Sequence, residues 1–367
     1  MVLPTKLPAC FAFSGTLLQE RASSNSLHKE SRQGDCQLRA RSTGLWLTIA
    51  VAAYIALWVL VPRATFISVL ISLIDGLLPF APPTFAVALS VAGMLLIAAP
   101  TVAFMAVQIA MVYFFSRFNM TWRGLIAVLF GSLATAFLAA LLIIEQSGIS
   151  VKMGRNPNLR EALYIVGVYS SILRVPMQLA IITAACSLGY AVSLRVRDKN
   201  LLLPVVMFAA YIDLWTVTRG PVSAMLKKTP EIAMAVGAAI PAAATKVFVP
   251  QVLIGPGDFL FMALVFAAVH RLGLDGARNY WFVFAGMTLG MLAVSLGFLP
   301  YLPALIALAV SVIAANWKHF RLSRQEVVSV AIVGLVLLAS LPVIWAALKP
   351  AHQQKPVIRH SVPSKPH

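Results

Sequence analysis

Two stretches decide how this chain is built: Phe208-Ala209-Ala210-Tyr211-Ile212-Asp213-Leu214-Trp215 and Ile254-Gly255-Pro256-Gly257-Asp258-Phe259-Leu260-Phe261. Each sets one carboxylate, Asp213 or Asp258, inside an otherwise apolar segment. A charged side chain at bilayer depth costs at least about 2.5 kcal/mol, so such residues are rare and by default functional. Two of them on neighbouring segments can share a proton, which makes one an acid and the other a base.

The rest of the chain places both stretches in a membrane. Of 367 residues, 60% are hydrophobic and 11% charged, and the mean hydropathy is +0.87, outside the range of soluble globular domains. This length accommodates roughly nine or ten spans of about 20 residues each. The expected fold is therefore all-α, a polytopic transmembrane helical bundle. Its apolar segments lie at 45–62, 66–80, 84–113, 124–144, 162–192, 201–218, 251–269, 280–298, 301–316 and 327–348. Segment 66–80 is short, and Asp75 before Gly76 reads as a turn, so the segment is interfacial or spanning. Segment 162–192 is long and interrupted by Arg174-Val175-Pro176, which predicts a kink or two half-helices. Residues 1–43, polar and mixed around Ser23-Ser24-Asn25-Ser26, read as a disordered cytoplasmic tail. No cleaved signal peptide is expected, because the first strongly apolar run, from Leu45, is long enough to stay as a span. A helical scaffold over 44–192 (about five spans) precedes the aspartate-bearing helices over 193–316, with a loop at 219–250. An additional span follows within 317–348, then a disordered basic tail over 349–367.

The net charge of +17 is not a nucleic-acid signal, since the Lys and Arg residues are spread over loops and tails. Cytoplasmic loops and anionic headgroups account for it. With the N-terminus inside, the inside regions hold 17 Lys and Arg and the outside loops 11, with Arg174 in the membrane. That bias puts both termini, and the loop joining the two aspartate segments, on the cytoplasmic side, although Lys318 to Arg324 runs against it. The expected location is an integral, multi-pass protein, in the inner membrane if the source is prokaryotic. Cys10, Cys36 and Cys186 show no CxxC spacing, so neither a disulfide framework nor a metal site follows.

Around the aspartates the sequence is unusual. Gly255 and Gly257 remove side chains beside Asp258, and Pro256 removes an amide donor. The expectation is a loosened helix whose bared backbone lines a wet cavity; a simple helix kink is the plainer alternative. Hydrolysis of a peptide bond in a membrane needs such a feature, because a substrate helix must be drawn out and held extended against exposed backbone. Leu302-Pro303-Ala304-Leu305 opens a later segment on the cytoplasmic side. A Pro-Ala-Leu tripeptide in so apolar a chain means little alone, but its place at a helix start makes Pro303, Ala304 and Leu305 candidates for the wall of a site. Other protease chemistries find no support. There is no His-Glu-x-x-His, and all six histidines lie in tails or at segment ends, His270 and His319 nearest to a span.

These three elements, in this order, resemble the presenilin and signal peptide peptidase family of intramembrane aspartyl proteases, and presenilin-like members most. That family carries Tyr-Asp on its sixth span, Gly-x-Gly-Asp on its seventh and Pro-Ala-Leu at the start of its ninth. Asp213, Gly255-Pro256-Gly257-Asp258 and Pro303-Ala304-Leu305 occupy the sixth, seventh and ninth segments here. The run Asp213-Leu214-Trp215-Thr216-Val217-Thr218-Arg219-Gly220-Pro221 looks like the family's passage from its first aspartate into the following loop. The likeness covers about residues 200–316; the first five segments match in number only. Three features depart from it. Ile212 replaces the tyrosine before the first aspartate, and Tyr211 faces elsewhere on a helix. Pro256 replaces a leucine-like residue, and segment 327–348 follows where the family ends. The resemblance to the prepilin peptidases, which also use Gly-x-Gly-Asp, is weaker, since Phe259-Leu260-Phe261 stands where those carry a lysine.

The resemblance implies an aspartic endopeptidase with Asp213 and Asp258 as catalytic residues, Gly255, Pro256 and Gly257 as the motif around them, and no cofactor or metal. Its partners would be transmembrane protein or peptide substrates within the lipid bilayer and no nucleic acid; accessory subunits stay open. Loop 222–250, with its apolar run from Ile232 to Ala244, is a gate, a self-cleaved segment or an amphipathic helix on the membrane. The rival class is a proton- or cation-coupled transporter using the same aspartates, with Asp75 as a further candidate relay. Arg174 is a counter-charge for an aspartate or an arginine reaching out to headgroups.

Overall fold

The apolar segments are helical, and their junctions decide where the aspartates lie. The computed structural model describes residues 42–148, 157–169, 172–218, 229–241, 250–295, 304–320 and scattered positions over 323–342. Tail residues 1–41 and 349–367, loop residues 219–228 and 242–249, and Pro303 lie outside the described residues.

The chain runs through α1 (Ser42–Arg63), α2 (Thr65–Leu77), α3 (Pro83–Phe115), α4 (Trp122–Gln146), α5 (Leu159–Val168), α6 (Arg174–Ser193) and α7 (Lys199–Thr218). A short α8 (Pro230–Val236) and the strands β1 (Ala238–Pro241) and β2 (Pro250–Ile254) follow. Then come α9 (Pro256–Arg271), α10 (Gly276–Ser295) and α11 (Ala304–Asn316). The described positions over 324–342 are helical.

Four helices among the described residues are long and apolar enough to cross a membrane: α1, α3, α4 and α6. They mark a membrane protein. Its surface agrees, because Phe130, Leu133, Phe137, Leu138 and Leu141 of α4 all point outward. So continuous an apolar face is unfavourable in water and suited to lipid. Segment 66–80 forms the 13-residue α2 and a 3-10 turn over Leu78–Phe80. At about 1.5 Å per residue it falls short of a roughly 30 Å hydrocarbon core. Asp75 sits exposed in its last helical turn. The predicted break in 162–192 is real: α5 ends at Val168 and Arg174 opens α6. Caps fix two starts. The Thr121 hydroxyl accepts from the Gly124 N–H at 3.2 Å, and Asn158 and Glu161 cap α5 reciprocally.

Helix α9 is the hub, in contact with α3, α6, α7, α10 and α11. Its residues from Met262 to Val269 are buried on every face, as is Phe259, the pattern of a helix enclosed by others. Gly189 on α6 lets the two backbones approach, since a Cβ there would collide with the Leu260 carbonyl oxygen. Where α10 meets α11, the Asn279 and Asn316 side chains exchange hydrogen bonds at 3.1 and 2.6 Å. This pair ties the two helices at the end remote from Leu305.

One expectation needs correcting. Residues 251–254 belong to a strand rather than a helix. β1 and β2 pair antiparallel, with Ala238 opposite Ile254, Ala239 opposite Leu253 and Ile240 opposite Val252. The cause is local: a residue before proline is driven to extended backbone, and Gly255, before Pro256, has φ −70° and ψ 149°. The chain therefore stays extended until Pro256 and turns helical there.

Candidate active site

Asp258 is held by the start of α9. Gly255 is the N-cap, Pro256 takes the first helical position, and Asp258 takes the third. Proline is pre-set for that position and its missing N–H would have had no partner. The Asp258 Oδ2 accepts from the Gly255 N–H at 3.1 Å, and the Asp258 N–H donates to the Gly255 carbonyl at 3.1 Å. Gly255-Pro256-Gly257 is thus a helix start, and the loosened or kinked helix expected from its composition is not formed. The extended backbone lies one step earlier, in β2. Gly257 is exposed and a Cβ on it would meet nothing within 4 Å, so the backbone flanking Asp258 is uncovered. Asp258 as a residue is half-buried, while Phe259 beside it is wholly buried and fixes which way the first turn faces.

Asp213 lies in the last turns of α7 and is also half-buried. Its Oδ2 accepts from the Leu305 N–H at 3.0 Å. Leu305 is in the first turn of α11, where N–H groups have no intrahelical acceptor and the helix dipole favours an anion. A carboxylate on one helix therefore caps another that lies 92 residues further along the chain. Asp213 lies near enough to Asp258 for its charge to bear on it. Below them α7, α9 and α11 close an apolar seam lined by Val206, Ala209, Phe261, Val265, Leu305 and Leu308.

The structure brings together Asp213, Ala304 and Leu305 on one side and Gly255, Pro256, Gly257 and Asp258 on the other, on three helices in mutual contact. Pro303 lies outside the described residues. Ile212, which precedes Asp213, is 37% exposed on the outer side of α7. Both aspartates have a structural duty as well, each satisfying a helix N-terminus. No group of three His, Cys, Asp or Glu among the described residues converges as a metal would require.

Three features were not read from the sequence: the hairpin, the backbone donor to Asp213 and the partners of Arg174. The hairpin was signalled only by Pro250-Gln251-Val252-Leu253-Ile254 between a proline and a glycine, a short strand pattern. The Leu305 N–H is a backbone donor and leaves no mark in side-chain identities. Arg174 is neither a headgroup-seeking side chain nor seen paired with either aspartate: it is fully buried and donates to the carbonyls of Gly167 and Met234.

Comparison with known proteins gives no match to a family model, a curated protein or a solved structure.

Proposed function

We propose that this chain is a multi-pass intramembrane aspartyl protease of the presenilin-like type, hydrolysing peptide bonds in transmembrane segments or leftover signal peptides. The observation that carries the proposal is the hydrogen bond from the Leu305 N–H to Asp213. It joins the first and third motifs in space, with the second within electrostatic reach. In the proposed reaction one carboxylate is ionised and takes a proton from a water held between the pair. The hydroxide so formed adds to the scissile carbonyl, which the other, protonated carboxyl hydrogen-bonds. Collapse of the tetrahedral intermediate breaks the C–N bond and passes a proton to the leaving amine. The β1–β2 hairpin, ending one residue before Gly255, supports the requirement for extended backbone beside the site.

Besides α1, α3, α4 and α6, the multi-pass arrangement rests on α7 and α10. Each has 20 residues, about 30 Å at 1.5 Å per residue, which matches the hydrocarbon thickness. The positive-inside bias puts the N-terminus in the cytoplasm.

Purified protein, incubated with a single-span test substrate, is expected to cleave it within the membrane segment. Asp213→Asn and Asp258→Asn are each expected to abolish turnover and leave helicity and monodispersity unchanged. Cleavage persisting in either variant would refute the dyad.

A second reading, coupled transport, draws on one observation. Tyr54 of α1 donates to Gln178 of α6 at 2.7 Å in the bundle interior, and polar side chains at that depth mark ion paths. Proton-coupled uptake by protein in sealed vesicles, without cleavage, would favour it.

A further inference from the structure

The segment that feeds the hairpin is strapped to the scaffold by a buried cation. Arg174 opens α6 and is the largest fully buried side chain among the described residues. Its guanidinium donates through Nη1 to the Gly167 carbonyl and through Nη2 to the Met234 carbonyl, the latter at 3.4 Å. Gly167 is in the last turn of α5 and Met234 in the last turn of α8. Carbonyls in a last turn have no intrahelical donor, and a cation there meets the negative end of the helix dipole. One side chain therefore closes two helices from the start of a third. The two helix ends supply negative potential that a buried guanidinium needs. Lysine is a poorer substitute, because its ammonium is a compact point charge on a flexible stem, whereas the planar fork of arginine holds two donors spaced for two acceptors.

The strap has a second fastening. Arg160 of α5 donates through Nε and Nη2 to Glu231 Oε1 of α8 at 3.1 and 3.0 Å. At the Arg174 fastening itself the two helices lie in close contact: a Cβ on Gly167 would stand 2.7 Å from the Met234 Cβ and 3.2 Å from its carbonyl carbon. From α8 the chain passes through Gly237 alone into β1. Ala239 and Ile240 of β1 are buried in one cluster with Tyr54, Phe104 and Val175. β1 then sets the register of β2, which ends one residue before the N-cap of α9.

We infer that Arg174 is a positioning residue: by capping α5 and α8 together it fixes β1, through β1 the register of β2, and through β2 the approach of Asp258 to Asp213. Only the last step rests on the proteolytic reading; the hold on the hairpin does not.

The test uses the full-length protein in lipid nanodiscs, with Cys10, Cys36 and Cys186 replaced by serine or alanine. Ala239→Cys and Leu253→Cys, which are register partners, then report the hairpin through their rate of disulfide formation. Losing one arm of a charge-assisted fork predicts a rate about tenfold lower in Arg174→Lys, and lower still in Arg174→Met. The same fall is expected in an Asp213→Asn background, where no cleavage is possible. In the cleavage assay kcat is expected to fall with it, KM to change little, and kcat to recover once the bridge is oxidised. An unchanged cross-linking rate in both Arg174 variants overturns the inference. Turnover that falls but is not recovered by the bridge overturns it as well. A rate that falls while no form of the protein cleaves any substrate would sink the protease and leave Arg174 holding the hairpin.

Discussion

The bond between Asp213 and the Leu305 N–H can be tested without touching either aspartate. Proline is tolerated in a helix's first turn, so Leu305→Pro removes the donor and leaves α11 able to start. It also removes a buried leucine, and Leu305→Ala, which keeps the N–H, controls for that loss. A hydrogen bond to a charged group contributes about 1.5–3 kcal/mol. The expected kcat for Leu305→Pro is therefore at least about tenfold below that of Leu305→Ala; equal values would separate the bond from the chemistry. At this scale the sequence was most informative where side chains carry the signal. Asp213 and Asp258 stood out because carboxylates are costly in lipid. Gly255-Pro256-Gly257 misled because glycine and proline mark a helix start as readily as a helix break.

Between elements, close approach is enforced by two glycines that differ in what stands opposite. A Cβ at Gly286 would collide with the Ser311 hydroxyl oxygen, a side-chain atom, whereas at Gly189 the obstacle is the Leu260 carbonyl, a backbone atom. Gly286→Ala is expected to destabilise by about 1–3 kcal/mol, and Ser311→Ala to restore most of that in the double variant. Gly189→Ala has no such suppressor among side chains, and thermal unfolding in detergent should show it as the more damaging change. A Gly286→Ala effect that Ser311→Ala fails to relieve would show that this contact does not set the helix spacing. The helices themselves were legible because their apolar runs are long. The hairpin was not, because a strand of five residues flanked by apolar sequence is indistinguishable from the end of a span until its partner is known. Here the partner, Ala238–Pro241, lay in what read as a loop or a surface helix.

At the scale of the molecule, membrane residence follows from composition and from the apolar outer face of α4. The topology proposed from the Lys and Arg distribution predicts that cysteines placed in 145–161 and in the N-terminal tail are labelled from the same side of sealed vesicles. Labelling from opposite faces would invert the assignment of the cytoplasmic site. The arrangement around α9 could not be read from the chain, because which helices surround a span depends on pairings such as Gly189 with Leu260 and Asn279 with Asn316. Such pairings link positions far apart in sequence. The account as a whole depends on two acidic side chains, from α7 and α9, acting on a single water. A peptide mimic bearing a hydroxyl in place of the scissile carbonyl should bind the wild-type protein and lose affinity by about a hundredfold or more in both Asp213→Asn and Asp258→Asn. Equal affinity for all three proteins would contradict it.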